Sequence, residues 1–325
     1  MNYVLEIVND IERVSGITTF SNNFFKHKKL SDIKRNTINS KPSVDLCKKI
    51  FSSKSVYCHI LYSIHLPVIV FLCLIFRKKL IIVSHGNLIV RDNSKLKKRV
   101  FLSLISFLSM FGDIITQFLN QTEFKRSVQI TRKYVICPPF FTLNSTKIKP
   151  KPKPKPKKVT KLLYMGANYY DRKGFDRMFK LCSSFRDEGL PCSLDLVGVL
   201  PTKTIDEAIL SYNLDGVVKY IEPVFGDEKF SLMSGYDYLL LLSRSEGWPM
   251  VVLEAISVRL PLIVSKGTNI SEKVVRYGVG VCLEDFSSAD NILPMSDMKL
   301  DFSNMISDHN KSEGFNKIKQ ELLCI

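Results

Sequence analysis

No pattern typical of a metal site is present in this sequence of 325 residues. Its eight cysteines and five histidines form no CxxC, HxxxH or other short ligand pair, and an acidic D-x-D motif is also missing. These absences exclude the common zinc modules and disfavour a divalent ion bound through paired aspartates. Several cysteines lie within apolar runs, so we expect reduced, buried and metal-free thiols, as in a cytosol.

The sequence also lacks the short motifs of several enzyme classes. It contains no G-x-x-x-x-G-K-[ST], no G-x-S-x-G and no G-x-G-x-x-G, which excludes a P-loop, a nucleophile elbow and the usual dinucleotide fingerprint. A basic leader is absent from the N-terminal MNYVLEIVND, where Glu6 lies inside a short apolar run. We therefore expect a core strand there and no secretory signal.

Acidic residues are scarce relative to basic ones. The 47 Lys and Arg against 31 Asp and Glu give a formal net charge of +16, which indicates an anionic partner. Composition alone does not choose between a phosphate-rich lipid surface and nucleic acid. Residues 147–158, KIKPKPKPKPKK, hold seven of the lysines without an acid or an aromatic, and the missing aromatics disfavour a nucleic-acid arm.

This Lys/Pro segment is the clearest domain boundary. Alternating prolines favour an extended path and like charges resist collapse, so we interpret 147–158 as a semi-rigid spacer. A solvated surface loop of a single domain is the alternative. The prediction is a domain over 1–146, the linker, and a second domain over 159–325.

Short apolar runs alternate with amphipathic stretches in both halves. This pattern predicts βαβ units and parallel, doubly wound α/β sheets, with ligands bound beyond the carboxyl ends of the strands. The predicted strands are 3–8, 56–60, 80–84, 113–119 and 134–137 in the first half, then 161–166, 192–198, 217–221, 237–243, 261–265 and 279–283.

Residues 56–76 form an uncharged stretch just long enough to span a bilayer. However, His59, Ser63, His65 and Pro67 interrupt it where a loop between a strand and a helix would fall. We predict a strand, a loop and a buried helix, with a membrane-inserted element as the alternative.

The stretch SRSEGWPMVVLEA (243–255) follows a predicted strand and combines a tight turn with a helix from about Met250 to Leu260. The unpaired backbone N–H groups of such a helix start, together with the helix dipole, can hold a diphosphate without a metal. Glu254 lies one turn into the helix, where its carboxylate is free to accept hydrogen bonds from the vicinal hydroxyls of a ribose.

The spacing E-x7-E over Glu246 and Glu254, with Gly-Trp-Pro between them, resembles the signature of retaining family 4 (group 1) glycosyltransferases. The resemblance implies the GT-B fold, with two facing Rossmann-like domains, an N-terminal acceptor domain and a C-terminal nucleotide-sugar domain. It also implies that Glu246 contacts the donor sugar and Glu254 the ribose. The residues implied to contact sugar and diphosphate are Gly247, Trp248, Pro249, Met250 and Val251.

The segment MGANYYDRKGFDRMF (165–179) is similar to the part of the same family in which an Arg and a Lys clamp the donor diphosphate. The resemblance places Lys173 at the Lys position, where its ammonium would neutralise the leaving phosphate. Many relatives have Arg directly after the strand glycine, here Gly166, but this chain has Ala167. Arg172 is the candidate replacement. A basic first turn on a solvated helix is the alternative, and it is disfavoured by the helix dipole.

The first half resembles the family more loosely. VSGITTF (14–20) looks like its glycine-rich loop, which would bring the amides near Gly16 to phosphate or acceptor. LIIVSHGNLI (80–89) resembles the strand that ends in His-Gly, and this makes His85 a candidate for orienting donor or acceptor hydroxyls. Without the resemblance, a lone His at a strand end is more often structural.

The resemblance thus implies sugar transfer from a nucleoside diphosphate to a hydroxyl with retention of configuration, without metal or cofactor. The basic charge and apolar first half suit a lipid-linked saccharide acceptor. We therefore expect a cytoplasmic enzyme, peripheral at the inner face of the membrane, in O-antigen or capsule assembly, and no nucleic-acid partner. An inactive glycosyltransferase-like scaffold is the main alternative, favoured by Ala167, and a basic nucleic-acid-binding protein is a weaker one.

Overall fold

The computed structural model of the chain describes residues 3–8, 16–89, 96–140, 159–290, 292 and 300–324. The chain divides into two compact units. Unit 1 comprises Met1–Phe141 with His309–Ile325, and unit 2 comprises Thr142–Asp308. The spacer predicted over 147–158 lies outside the described residues.

Unit 1 is built on a six-stranded, all-parallel sheet with the order β2-β1-β3-β4-β5-β6. The strand order reverses between β1 and β3, which are neighbours, so the carboxyl ends of these two strands flank a topological switch point. The strands are β1 (Val4–Val8), β2 (Arg35–Asn39), β3 (Ser55–Cys58), β4 (Lys79–Val83), β5 (Ile114–Phe118) and β6 (Lys133–Ile136).

Helices connect these strands and cover the sheet. They are α1 (Gly16–Phe24), α2 (Val44–Ser52), α3 (His65–Ile75), α4 (Leu96–Ser109) and α5 (Gln121–Arg126), and the chain returns to this unit at its end with α13 (Gly314–Leu323). One core cluster joins the inner sides of α2, α3 and α4 to the sheet. Phe24 of α1, Tyr57 of β3 and Phe315 of α13 form a second aromatic group.

The uncharged stretch 56–76 folds as predicted into a strand, a loop and a helix, β3 and α3. None of the described helices is long and apolar enough to cross a membrane. The expectation that α3 is buried is only half correct. Leu66, Ile69 and Val70 face the core, but Phe71 and Ile75 expose more than half of their surface.

Unit 2 contains a second six-stranded parallel sheet, with the order β9-β8-β7-β10-β11-β12. Its strand order is that of dinucleotide-binding sheets, and the switch point lies between β7 and β10. The strands are β7 (Thr160–Met165), β8 (Cys192–Val197), β9 (Val218–Ile221), β10 (Tyr238–Leu241), β11 (Leu262–Ser265) and β12 (Gly280–Leu283).

The helices of unit 2 follow its strands in turn. They are α6 (Tyr170–Lys173), α7 (Phe175–Asp187), α8 (Lys203–Ser211), α9 (Gly226–Ser234), α10 (Met250–Ser257), a 3-10 turn (Lys266–Thr268), α11 (Ser271–Arg276) and α12 (Phe302–Asn310). Phe175, Met178, Phe179, Leu181 and Cys182, the amphipathic set of α7, are all fully buried. The doubly wound α/β prediction is confirmed for both halves.

Two predictions need correction. The sequence assigned all of 159–325 to the second domain, whereas His309–Ile325 belongs to unit 1. The physical reason is that α13 packs against β3, β4 and β6, and Ser55 Oγ donates a hydrogen bond of 2.7 Å to the carbonyl of Leu322. The edge strand β2 was also missed, because its sequence RNTIN contains no apolar run.

Candidate functional site

Two oppositely charged side chains meet at the switch point of unit 2. Lys173 ends α6, which follows β7, and Glu246 follows β10, so each lies beyond the carboxyl end of one of the two central strands. The ammonium of Lys173 lies 2.6 Å from Oε1 of Glu246, and both side chains are largely buried, at 14% and 12% exposure. The sequence therefore pointed to two residues that the fold places in contact.

The backbone around Glu246 is held on both sides. Its amide donates a 2.9 Å hydrogen bond to the carbonyl of Gly267, and its own carbonyl accepts one from the side chain of Asn269. Ser243 Oγ donates to the carboxylate at 2.8 Å. Glu246 thus occupies a fixed position at the end of β10.

Glycine is required at two places around this loop. A Cβ on Gly267 would lie 2.2 Å from the carbonyl oxygen of Ser243, and one on Gly174 would lie 2.3 Å from that of Leu242. Gly174 also has a φ of 68°, in the left-handed region. These close approaches bring the ends of β7, β10 and β11 together at one edge of the sheet.

Arg172 and Lys173 lie in the last turn of α6 and not in the first turn of a longer helix. Cations are favoured at that end of a helix, so the helix dipole does not count against the alternative of a basic turn on a solvated helix. The Arg172 guanidinium stacks on the Tyr169 ring at 4.1 Å from the centroid, and its Nε is buried without a hydrogen-bond partner among the described residues. A buried N–H of this kind normally has an acceptor.

Arg244 ties α6 to the Glu246 loop. Its amide donates to the Arg172 carbonyl at 2.8 Å, and its guanidinium forms two bonds of 2.7 and 2.6 Å to the Asp176 carboxylate. The hydrogen bonds and charge of Arg244 lower the pKa of Asp176. The sequence did not single out this bridge, because a basic residue in a loop has no distinctive spacing.

The predicted turn and helix follow directly from Glu246. Gly247, Trp248 and Pro249 are buried, and α10 begins at Met250 without a side-chain cap on its first amides. Trp248 has the Lys273 ammonium 5.8 Å from its ring centroid. Met250 and Val251, the first helical residues, are partly exposed, so the helix start is accessible to a ligand.

The sequence predicted a free carboxylate at Glu254, but this carboxylate forms an ion pair. Its Oε2 lies 2.5 Å from the ammonium of Lys229 in α9, and its side chain is only 9% exposed. A carboxylate buried to this degree requires a partner, and Lys229 supplies it. Any hydroxyl bound by Glu254 therefore shares the carboxylate with this lysine, which has no sequence signature of its own.

Gly166 and Ala167 follow β7. A Cβ on Gly166 would lie 3.0 Å from the hydroxyl oxygen of Tyr164, and that hydroxyl donates a 3.0 Å hydrogen bond to the Ala167 carbonyl. Burial raises the pKa of Tyr164, so its phenol stays protonated and keeps donating this bond. The tyrosine fixes the turn that contains Ala167.

In unit 1, His85 follows β4 and joins a buried row of polar groups. His59 follows the adjacent β3, and its Nδ1 lies 2.9 Å from Nε2 of His85. The other ring nitrogen of His59 lies 2.9 Å from Oε1 of Glu6, a fully buried residue of β1. Glu6 on β1 thus contacts His59, directly after β3, and His59 contacts His85, which follows β4.

Glu6 carries a negative charge within this row of polar groups. Burial alone would raise the pKa of its carboxyl group, but hydrogen bonds from His59 and Ser21 and attraction to His59 and Arg35 outweigh it and lower the pKa to about 2. Thr37 Oγ1 and Arg35 donate further bonds of 2.9 and 3.0 Å. Burial and the neighbouring His59 hold the pKa of His85 well below its usual value, so its imidazole is neutral at pH 7.

A second buried carboxylate fixes the backbone of His85. His85 and Gly86 have φ values of 46° and 76°. The carboxylate of Glu123 accepts bonds from the Gly86 amide, from Ser84 Oγ at 2.6 Å and from the Leu119 amide at 2.6 Å. The left-handed turn is held by these bonds, which offset the strain of a non-glycine residue in that region.

Gly16 is the first residue of α1. Ser15 and the preceding part of the predicted glycine-rich loop lie outside the described residues.

The structure brings the predicted site residues together in two groups. Lys173 and Glu246 lie with the start of α10 in unit 2, and His85 lies with its row of polar groups in unit 1. In the described parts of the chain, no group of three or more His, Cys, Asp or Glu could hold a metal ion.

Comparison with known proteins identifies the class. The model of the family described as "Glycosyl transferases group 1" matches residues 145–293, which include Lys173, Glu246 and Glu254. No curated protein matches the chain.

Solved structures resemble the chain over nearly its whole length. Anabaena HepE in complex with UDP and glucose has a TM-score of 0.71 at 14% identity, covering 98% of this chain and 97% of that one. WaaG, a glycosyltransferase involved in lipopolysaccharide biosynthesis, has a TM-score of 0.66 at 12% identity and 98% coverage of both chains. Sucrose-phosphate synthase from Thermosynechococcus elongatus has a TM-score of 0.66 at 12% identity, covering 100% and 94%.

Likeness at such low identity shows the fold, and the matched family model shows the class of enzyme. Residues 145–293 match the model of the group 1 glycosyl transferases, and the protein is a glycosyltransferase with the GT-B fold.

Proposed function

We propose that the enzyme moves a sugar from a nucleoside diphosphate to a hydroxyl of a lipid-linked saccharide, with retention of configuration and without a metal ion. The observation that carries the proposal is the contact of Lys173 with Glu246 at the switch point, 2.6 Å apart, immediately before the uncapped start of α10. Cations and helix amides at the carboxyl ends of parallel strands are the groups that bind a diphosphate.

Arg172 supports the same assignment. Its Nε is buried and unpartnered among the described residues, next in sequence to Lys173. A phosphate oxygen would satisfy this N–H and would compete with Glu246 for the Lys173 ammonium. Glu246 would then turn to a donor hydroxyl, which agrees with the role that the resemblance gives it. Arg172 can thus supply the charge missing at Ala167.

The sugar nucleotide would extend along α10. Glu254, one turn after Met250, would accept a ribose hydroxyl while it remains paired with Lys229. HepE has been solved with UDP-glucose, so we propose a uridine diphosphate sugar as the first donor to test. The departing phosphate, stabilised by Lys173 and the start of α10, would take the proton of the acceptor hydroxyl.

His85 and Gly16 keep their proposed roles toward the reacting hydroxyls and the phosphate. The similarity to WaaG, which acts in lipopolysaccharide biosynthesis, supports surface-polysaccharide assembly, such as O-antigen or capsule. A lipid-linked acceptor, an anionic membrane surface and a peripheral position at the cytoplasmic face agree with the net charge of +16.

Thermal stabilisation by a panel of nucleotide sugars tests donor binding. A donor at about a hundred times its Kd adds about 2.7 kcal/mol to the unfolding free energy. We expect Lys173→Met to lose most of this stabilisation at the same donor concentration. Lys180→Met, on the exposed side of α7 with a loose 3.8 Å contact to Asp285, is the matched control and should behave as wild type.

Turnover separates the enzyme from an inactive scaffold. Glu246→Gln should retain most of the donor binding, because the amide can still bond to the donor hydroxyl, and should lower the rate of sugar transfer or donor hydrolysis by about a hundredfold, the loss typical of one group removed from a transition state. Donor binding without any turnover by the wild type would favour the scaffold. Full activity in EDTA and an unchanged anomeric configuration by NMR test the two finer proposals.

A further inference from the structure

Helices α2, α3 and α4 cover one face of the sheet of unit 1. Neighbouring helices of this group are in contact, α2 with α3 and α3 with α4. Each buries one side in the common core: Leu46 and Ile50 from α2, Ile69 from α3, and Leu102 and Ile105 from α4. The opposite sides of these helices therefore point away from the sheet.

The outward side of α3 is apolar along its whole length. Ile64, Val68, Phe71 and Ile75 repeat at intervals of four, three and four residues, which places them on one stripe of a helix. They are 82%, 39%, 56% and 55% exposed. A surface helix of an ordinary globular protein carries polar residues at such positions.

The outward side of α4 has a second stripe of the same kind. Leu96, Val100, Leu104 and Phe107 follow at intervals of four, four and three residues, and Phe111 lies in the turn after the helix. Each of the five is at least 44% exposed. We call these nine side chains of α3 and α4 the apolar ridge. Because the two helices are neighbours, the stripes lie side by side.

This concentration of apolar surface is local. Residues 44–111 contain thirteen of the twenty-one large hydrophobic side chains that are exposed in the described parts of the chain, whereas unit 2 contains six. Scattered exposed apolar residues are normal, but a contiguous patch marks an interaction surface. The apolar ridge therefore calls for a covering partner.

The charge of the same segment selects the partner. Residues 44–111 contain eleven Lys and Arg and only two acids, Asp45 and Asp92. Some of the basic side chains lie against exposed rings, with Lys98 4.7 Å from the Tyr62 centroid and Lys78 6.0 Å from that of Phe51. An anionic bilayer is complementary to both properties, since its acyl region accepts apolar side chains and its headgroups attract cations.

We propose that the apolar ridge docks unit 1 onto an anionic lipid bilayer, with the exposed sides of α3 and α4 in the headgroup region. Tyr62 and Lys98 both donate hydrogen bonds to the carbonyl of Asn87, at 2.9 and 3.3 Å, so the ridge begins beside the turn that carries His85. The inference extends the lipid-linked acceptor proposed above by naming the surface that would present it.

Vesicle co-sedimentation tests the docking. Purified protein is mixed with vesicles of phosphatidylcholine alone, or with phosphatidylglycerol added, at 0.1 and 0.5 M salt. The wild type should bind the anionic vesicles and bind them less at high salt. The triple variant F71S/F107S/F111S should lose about a thousandfold in partition coefficient, since each buried aromatic contributes roughly tenfold. Replacement of Lys97 and Arg99 by Gln should cost about fivefold for each charge removed.

A matched control lies in unit 2. Leu200, Leu210 and Val275 are 66%, 63% and 58% exposed, and the triple variant L200S/L210S/V275S should bind vesicles as the wild type does. Absence of wild-type binding, equal binding to neutral vesicles, or equal losses in the two triple variants would overturn the proposal. A dimer that only the ridge variant dissociates, with vesicle binding unchanged, would assign the ridge to a protein partner instead.

One further variant keeps the test independent of folding and of donor chemistry. F107W places a reporter on the ridge, and its emission should shift to the blue on anionic vesicles, beyond the signal of the buried Trp248. Donor stabilisation is measured on every variant. Vesicle binding without donor binding would refute the proposed function alone, whereas donor binding with an unshifted F107W emission would refute the docking alone.

Discussion

Replacing the buried Glu6 by glutamine perturbs the stability of unit 1, whereas the proposed donor site belongs to unit 2. Glu6 is fully buried in β1 and contacts His59, Ser21, Arg35 and Thr37. Glutamine has nearly the same shape but no charge, and its NH2 group would face donors. The substitution therefore removes the charge with little change in packing volume.

The magnitude follows from the pKa. A fall from 4.5 to about 2 corresponds to about 3 kcal/mol, at about 1.4 kcal/mol for each unit. The folded-state pKa is the lower one, so this stabilisation is fully present above pH 4.5 and is lost as the pH falls toward 2. Because the carboxyl group has no exposed surface, no reduction for solvent screening applies.

We therefore expect Glu6→Gln to lower the unfolding free energy of unit 1 by about 3 kcal/mol at pH 7, with a much smaller difference near pH 2. Urea unfolding followed by circular dichroism measures the change. The single tryptophan, Trp248, lies in unit 2, and its fluorescence gives an internal reference.

The control is Asp45→Asn, since Asp45 is a 62% exposed partner of Lys49 in the same unit, and such a pair contributes less than about 1 kcal/mol. Equal unfolding free energies for Glu6→Gln and the wild type at pH 7 would show that the carboxylate is not held as an ion. A difference that grows toward low pH would show that the sign is wrong.

Three other predictions concern single contacts. A double-mutant cycle of Lys229→Met and Glu254→Gln should give a coupling of about 1–3 kcal/mol in unfolding free energy, because either single change leaves a buried charge unpaired; additive effects would deny the ion pair. Gly267→Ala should lower the unfolding free energy of unit 2 by about 2 kcal/mol or more, since its Cβ would clash with the Ser243 carbonyl; an unchanged melting temperature would contradict this. The lowered pKa of His85 keeps its ring neutral near pH 6.5. The pH profiles of kcat/KM of the wild type and of His85→Gln should therefore have the same shape around that pH; a step there that is present only in the wild type would contradict this.

Most of the fold could be predicted because buried parallel strands have continuous apolar sequences. Runs such as DYLLLLS (237–243) and LIIVS (80–84) correspond to β10 and β4. The strand β2 lies at the edge of the sheet, where it pairs only with β1, and its sequence is polar. A search for continuous apolar runs therefore does not find it. The return of α13 to unit 1 was also unpredictable, because a helix carries no record of the sheet on which it packs.

The grouping of the candidate site residues could be predicted where one local segment contains them. Glu246 and the start of α10 lie within a few residues, and the turn after β7 places Lys173 at the same sheet edge. The partners that hold these groups come from elsewhere in the sequence. Lys229 and Gly267 have no motif, and their roles follow from burial and close approach, which only the folded backbone determines.

The row of polar groups in unit 1 shows why such partners matter. Glu6 and Glu123 are both buried, yet the pKa of Glu6 is lowered and that of Glu123 is raised. Glu6 is bonded to the guanidinium of Arg35 and to His59, whereas Glu123 has only neutral donors, which do not offset the cost of burial. One carboxylate holds the imidazole of His85 through His59, and the other holds its backbone through Gly86. Because both restraints act on a ring that is neutral at pH 7, His85 is suited to orient a hydroxyl by a hydrogen bond and not to neutralise a phosphate. For neutralisation of the donor phosphate we propose Lys173 and Arg172 of unit 2.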